Sequence, residues 1–228
     1  MPREPSNPRR NHRPALTGPR IVAAAAAVAD RDALVGVSMR TVARELGVEA
    51  MSLYHHIAGK EALLDALVDH VFAQITLPIE GDPWRPAMAS HAASAREVLA
   101  RHPWGLGLIE SRSSPGPVTL AHHNAMLGCL RGNGFPVRLA SHAVSALDAY
   151  VYGFVLTEVS LPFKPGESAE EFVRSIQTPM AAYPHLLEMV RVQVLGQDYA
   201  YGDEFDYGLD LILDSLERRL AEVEEDLT

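Results

Sequence analysis

The chain has 228 residues, of which 47% are hydrophobic and 21% charged, with a formal net charge of −9. That length and composition suit one or two globular domains and exclude a chain disordered throughout. The single cysteine, Cys129, excludes an intrachain disulfide and a cysteine-based zinc site, and it fits a reducing compartment.

Charge is unevenly placed. Residues 1–76 carry nine Lys/Arg against eight Asp/Glu, while residues 77–228 carry eleven against twenty-one. An acidic body would repel phosphate and a neutral-to-basic head would tolerate it. The longest apolar run near the N-terminus, residues 21–29, is too short to span a bilayer. The expectation is a bacterial-type cytoplasmic protein with no membrane partner.

In chain order, residues 1–18 read as a disordered basic arm, with four prolines and Arg3, Arg9, Arg10 and Arg13. Gly18-Pro19 opens an Ala-rich helix from Arg20 to about Leu34, which Gly36 breaks. Ser38 caps a helix from Met39 to Leu46, Gly47 ends it, and a short helix follows over about Ala50 to His56. A long amphipathic helix runs from Lys60 to about Ile75. Pro78 and Gly81-Asp82-Pro83 mark a domain boundary. Further helices are expected over about 84–101, from Ser114-Pro115 to Gly132, from Pro136 to about Ser160, after Ser168, and over about 204–226. His102-Pro103 acts as a break, residues 161–167 as a loop, and Pro179 and Pro184 as interruptions. No period-2 strand pattern, repeat or glycine-rich phosphate loop intervenes, so the fold is read as all-α. The domains expected are the arm (1–18), a three-helix head (19–76) and a helical body (77–228), with the long helix joining head to body.

Residues 38–64 carry the function. Val42, Leu46, Val48, Leu53 and Ile57 are apolar where two crossed helices would meet. Ala43 is small at their closest approach, and Gly47 stands where the turn needs a positive φ. This is the spacing of a helix-turn-helix, although a pair of short helices with no DNA role can also show it. Ala50, Met51, Ser52 and His55 face outward from the second helix, where they would reach base edges. Arg40 suits a guanine or a phosphate, and Ser38, Tyr54, His56 and Lys60 suit phosphates. For Tyr54 the alternative is partial burial with a solvated hydroxyl; for Lys60 it is a solvated helix start.

The Ala-rich first helix, the SMRTVARELGV core, the SLYHH end and the GKEALL start of the next helix together resemble the DNA-binding head of the tetracycline-repressor (TetR) family. PIEGDPW (78–84), GNGF (132–135) and GLDLILDSL (208–216) are similar to segments of that family's C-terminal domain. The resemblance implies a homodimer that represses from double-stranded operator DNA and releases it when a small molecule enters the body. In the tetracycline repressor itself the drug–magnesium complex is held by two histidines; alignment on the PIEGDPW landmark puts Thr76 and a site near Ile109 at those places, and neither can ligate a metal. Another hydrophobic or aromatic ligand is therefore expected, with no cofactor and no metal.

The last helix carries an apolar stripe of Leu209, Ile212, Leu213, Leu216 and Leu220, and the helix after Pro136 carries Leu139, Ala143, Leu147, Val151 and Phe154. Paired across a two-fold axis these would form a four-helix interface; the alternative is packing within one chain. His91, Trp104, Glu110, His122, Asn124, Asp148, Tyr152 and Glu158 are the polar or aromatic candidates for a ligand pocket. An enzyme is not expected: His122 and His123 are adjacent and so face different directions on a helix, and no catalytic or metal-ligand motif is present. A ligand-independent activator or architectural DNA-binding protein is the competing reading, in which the basic arm would track a minor groove.

Overall fold

The computed structural model describes residues 15–112, 115–162, 169–175, 180 and 182–225, without the side chains of Glu110 and Glu224. The basic arm up to residue 14, Ser168 and Pro179 lie outside the described residues. Among those described there is no strand. The chain divides into two compact units at Leu64/Asp65.

The first unit contains α1 (Gly18–Gly36), α2 (Met39–Leu46), α3 (Ala50–Leu53) and the start of α4 (Lys60–Phe72). Pro19 sits in the first turn of α1, where its missing N–H costs nothing. The helix is interrupted at Ala33 (φ 54°, ψ −177°), ahead of the glycine expected to break it. Ser38 and Thr41 form a reciprocal capping box: Thr41 N donates to Ser38 Oγ (3.1 Å) and Ser38 N donates to Thr41 Oγ1 (2.9 Å). Gly47 ends α2 in the left-handed region (φ 66°, ψ 37°), which an L side chain adopts only at a cost. α1 packs on α2 and α2 on α3. Ile21, Ala25, Val28, Val37, Val42, Leu53 and Leu63 are buried as the core of this unit.

The second unit contains the rest of α4, then α5 (Trp84–Arg101), α6 (Trp104–Ser111), α7 (Pro117–Gly132), α8 (Val137–Val159), α9 (Ala169–Ser175), α10 (Pro184–Gln193) and α11 (Glu204–Glu225). α6 was not expected; Gly105 and Gly107 do not prevent it. α8 is the central element and packs against α5, α7 and α11. By length and hydropathy it could also cross a membrane, but its apolar face (Ala140, Ala143, Leu147, Val151, Phe154 and Val155) is buried in the body.

Two of the segments that carried the C-terminal resemblance, PIEGDPW and GNGF, are tied to one another. Asn133 Nδ2 donates to Asp82 O (2.8 Å) and Cys129 O (2.9 Å), Trp84 N donates to Asn133 Oδ1 (3.4 Å), and the Trp84 and Phe135 rings meet edge-on at 5.0 Å. Arg96 of α5 joins three elements. Its guanidinium donates to Glu158 of α8 and to Gly202 O just before α11, and it lies over the rings of Phe154 and Phe205.

Candidate functional sites: an exposed helix-turn-helix face and a partitioned cavity

The head presents its polar residues over a buried apolar frame. Leu53 is fully buried, whereas Met51 is 72% and Tyr54 48% exposed. Arg40, His55, His56 and Lys60 are exposed, and Ala50 and Ser52 half-exposed. Regular helix in the second helix of the motif covers only Ala50–Leu53; residues 54–57 continue as turns, with His56 N and Ile57 N both donating to Leu53 O (2.9 Å each). Ser38 is half-buried, and its hydroxyl is engaged in the α2 cap. Arg40 is in the first turn of α2, and Lys60 is the first residue of α4. The arrangement can offer a guanidinium, an ammonium, a phenol and two imidazoles to a polyanion around a short apolar-anchored turn.

In the body, the candidates separate into those that converge and those that do not. A cavity of ≈ 200 Å³ is lined by residues that include Asp65, Phe72, Arg112, Thr119, His123, Asp148 and Tyr152. A smaller one of ≈ 10 Å³, at the limit of what a single water needs, is lined by residues that include Phe72, His91, His122, Leu147, Asp148 and Tyr152. Phe72, Asp148 and Tyr152 line both and so form the partition. His91, His122, Asp148 and Tyr152 are thus brought together. Trp104 is buried but lines neither cavity, and its ring stands 5.6 Å from that of His102. Asn124 faces solvent. Glu158 is held by Arg96 and lines a separate open groove of ≈ 660 Å³. The Glu110 side chain lies outside the described residues.

The pKa values of the histidines are shifted in different directions for physical reasons. His91 donates from Nδ1 to Thr76 O (2.8 Å), and burial lowers its pKa despite that bond. Burial, with His91 and His123 nearby, lowers His122 to about 3. His123 donates from Nδ1 to Thr119 O (2.9 Å), and its Nε2 lies 3.5 Å from the Asp148 carboxylate, which raises its pKa. Asp69 of α4 caps α7 from outside: it accepts from Val118 N (3.4 Å), Thr119 N (3.1 Å) and Thr119 Oγ1 (3.0 Å). Among the described residues no three His, Cys, Asp or Glu side chains converge as a metal site.

Sequence reasoning passed over Phe72, Arg112 and His123 as pocket residues. Adjacent residues on a helix do point apart, as expected for His122 and His123, but the two directions lead into the two cavities on either side of Phe72. A histidine doublet opposite an aromatic residue was the available signal.

The stripe expected to face a partner lies on α8 and α11. Ala143, Leu147, Val151, Phe154, Leu209, Leu213, Leu216 and Leu220 are buried within the single chain, because α8 and α11 spend their apolar faces on one another and, for α8, on α5 and α7. Of the residues expected there, Leu139 and Ile212 remain half-exposed. With Leu216 at its base they line a groove of ≈ 550 Å³ that also includes His142, Ala146, Leu211 and Ser215.

A helix-turn-helix head on an all-helical body with a partitioned cavity defines a ligand-responsive class of DNA-binding regulator. Residues 21–67 match the family model for bacterial regulatory proteins of the tetR family, and residues 77–220 that for the tetracyclin repressor-like C-terminal domain. The chain belongs to the TetR family of transcriptional regulators. It is 34% identical over 227 residues to the HTH-type transcriptional repressor DrrR1 of Streptomyces coeruleorubidus, a match spanning 94% of this chain and 82% of that protein. It is 26% identical over 205 residues to the tetracycline repressor protein class D of Escherichia coli, spanning 88% and 89%. The solved structure of the TetR family protein ActR from Streptomyces coelicolor in complex with actinorhodin is similar with a TM-score of 0.72 at 25% identity, over 91% of this chain and 99% of that one.

Proposed function

We propose that the protein is a cytoplasmic homodimeric repressor that holds a near-palindromic operator and releases it when a small aromatic molecule enters the body. The observation that carries this reading is the head's outward face: Arg40, Met51, Tyr54, His55 and Lys60 are exposed around a turn whose apolar residues are buried. Residues 19–76 act as the DNA-binding domain and 77–228 as the ligand and dimer domain, with the arm adding sequence-independent attraction to phosphate. Arg40, Tyr54, His56 and Lys60 position the backbone; Ala50, Met51, Ser52 and His55 face base edges. Two heads about 34–36 Å apart read successive major grooves.

The partner copy is taken on the α8/α11 face bearing Leu139, His142, Leu211 and Ile212. The ligand occupies the cavities walled by Phe72, His91, His122, Asp148 and Tyr152. Actinorhodin bound to ActR, and relatives named as repressors, support a ligand and favour repression over the activator reading. No catalytic step is assigned, in keeping with relatives that are regulators.

The test is a mobility shift with purified protein and the intergenic DNA beside its own gene at a stated salt concentration. A discrete complex resistant to nonspecific competitor is expected. Arg40→Ala and Tyr54→Ala should each weaken it about tenfold without changing the oligomeric state. Full-strength binding by both variants would refute the docking face.

A further inference from the structure

His122 stands on α7, 2% exposed, and among the described residues its Nδ1 is the buried side-chain nitrogen or oxygen that no hydrogen bond satisfies. Buried polar atoms are nearly always paired, so an orphan in a cavity wall asks for a partner the chain does not supply. The neighbouring polar atoms are committed. His91 Nδ1 is bonded to Thr76 O, His123 to Thr119 O and Asp148, and Asp69 to the start of α7. Apart from the Tyr152 hydroxyl and His91 Nε2, the rest of the surround is ring and hydrocarbon. Phe72 and His91 meet the His122 ring edge-on at 4.7 and 4.6 Å, and Ile75, Leu147 and Val151 complete the wall.

We propose that His122 is the polar anchor of the ligand: the Phe72–Tyr152 partition opens, the two cavities merge, and a neutral fused-ring aromatic molecule seats a hydroxyl group against Nδ1. This rests on the reading of these cavities as the ligand site and adds the chemical class that fits them. The imidazole is neutral, because burial holds its pKa at about 3. In this arrangement the ring proton sits on Nε2 and the unprotonated Nδ1 accepts from the ligand hydroxyl. A carboxylate can only accept, and it would bring an unpaired charge against an apolar wall. Aromatic rings match the faces and edges of Phe72, His91 and Tyr152. Cavities of ≈ 200 and ≈ 10 Å³ are small for a ligand site, so the rings seated here are few.

Three probes of one shape test the proposal by titration calorimetry on the full-length protein: 2-naphthol, its ether 2-methoxynaphthalene, which cannot donate, and the anion 2-naphthoate. The naphthol should bind at least about tenfold more tightly than either of the others. His122→Phe should reduce its preference over the ether to about twofold or less, and His122→Asn, which keeps a polar atom near the position of Nδ1, should retain it. Circular dichroism confirms that each variant is folded. Equal binding of naphthol and ether by the wild type overturns the proposal, as does a preference that survives His122→Phe.

Val68 lines the larger cavity, and Val68→Trp, which fills it, separates this failure from a wrong site. An ether that binds the wild type and is lost in Val68→Trp leaves the cavity as the ligand site whatever the hydroxyl does. Ether binding that survives Val68→Trp, or no binding of any probe at about 1 mM, overturns the ligand site and the anchor together.

Discussion

Arg96→Met tests what ties the body together. The substitution keeps a long apolar stem and removes the charge and every donor. In the wild type, Nε and Nη2 reach the Glu158 carboxylate at 3.1 and 2.5 Å, Nη1 reaches Gly202 O at 3.0 Å, and the guanidinium carbon lies 5.0 and 4.9 Å from the Phe154 and Phe205 ring centres. The paired side chains are 24% and 23% exposed, between the buried and surface limits. Stripping one partner from a fully buried pair costs about 3–5 kcal/mol, and an exposed pair is worth about 0–1 kcal/mol. At this exposure about 2 kcal/mol is expected for the pair. Losing the donor to Gly202 O adds roughly 0.5–1 kcal/mol, and losing the ring contacts a similar amount.

The sum is about 3–4 kcal/mol. It is read by urea unfolding at fixed protein concentration, following tryptophan fluorescence, because both tryptophans, Trp84 and Trp104, lie in the second unit and report it alone. Glu158→Gln should cost less, and the double variant should fall short of the sum of the singles by about 1–2 kcal/mol. An Arg96→Met protein within about 0.5 kcal/mol of wild type, or a strictly additive cycle, would refute the assignment of Arg96 as the tie between α5, α8 and the start of α11.

Two further outcomes follow from the same unit. A methyl group on Gly116 would overlap the Asp69 carboxylate that caps α7, so Gly116→Ala should cost about 1–3 kcal/mol in the same unfolding assay, and a neutral result would mean that Asp69 does not hold that helix start. For pH, His91 and His122 have folded pKa values below those of the unfolded chain, so the unfolded state binds the extra protons and stability falls as pH drops below about 6.5, by roughly 1.4 kcal/mol per pH unit for each histidine that stays neutral. His123 works the other way: its pKa is raised, its contribution is complete below about 6.5, and it is lost as pH rises through the folded value. Urea midpoints from pH 7 to pH 5 should therefore decline, with a shallower slope in His122→Phe; an unchanged slope would show that His122 protonates freely in the fold.

The helical architecture was readable because its punctuation is strong. Gly47, Pro83, Pro136 and the glycines around Asn133 set the bounds of α2, α5, α7 and α8 to within a residue or two. α6 was missed because His102-Pro103 reads as a break with no helix before Ser114-Pro115, whereas burial of Trp104 and Leu108 supports a helix despite Gly105 and Gly107. The stripe on α11 was legible as apolar, but periodicity cannot say whether the face that buries it belongs to the same chain or to another, and here Leu209 and Leu213 are buried by their own chain. The cavity was half legible. His91, His122 and Asp148 stood out as polar residues on apolar helices, while Phe72 passed as core because an aromatic ring at helical spacing looks the same whether it meets side chains or an opening.

The second helix of the DNA motif contains four residues of regular helix, held by Leu53 beneath it and by the turn that leads to Ile57. Met51, Tyr54, His55 and His56 project from this support and contribute little to the stability of the head. Positions that bear no folding energy can change without a stability penalty, whereas Leu53 and Gly47 cannot. Descendants of such a chain can therefore acquire a new target sequence by substitution on one turn, with the frame that aims it inherited intact.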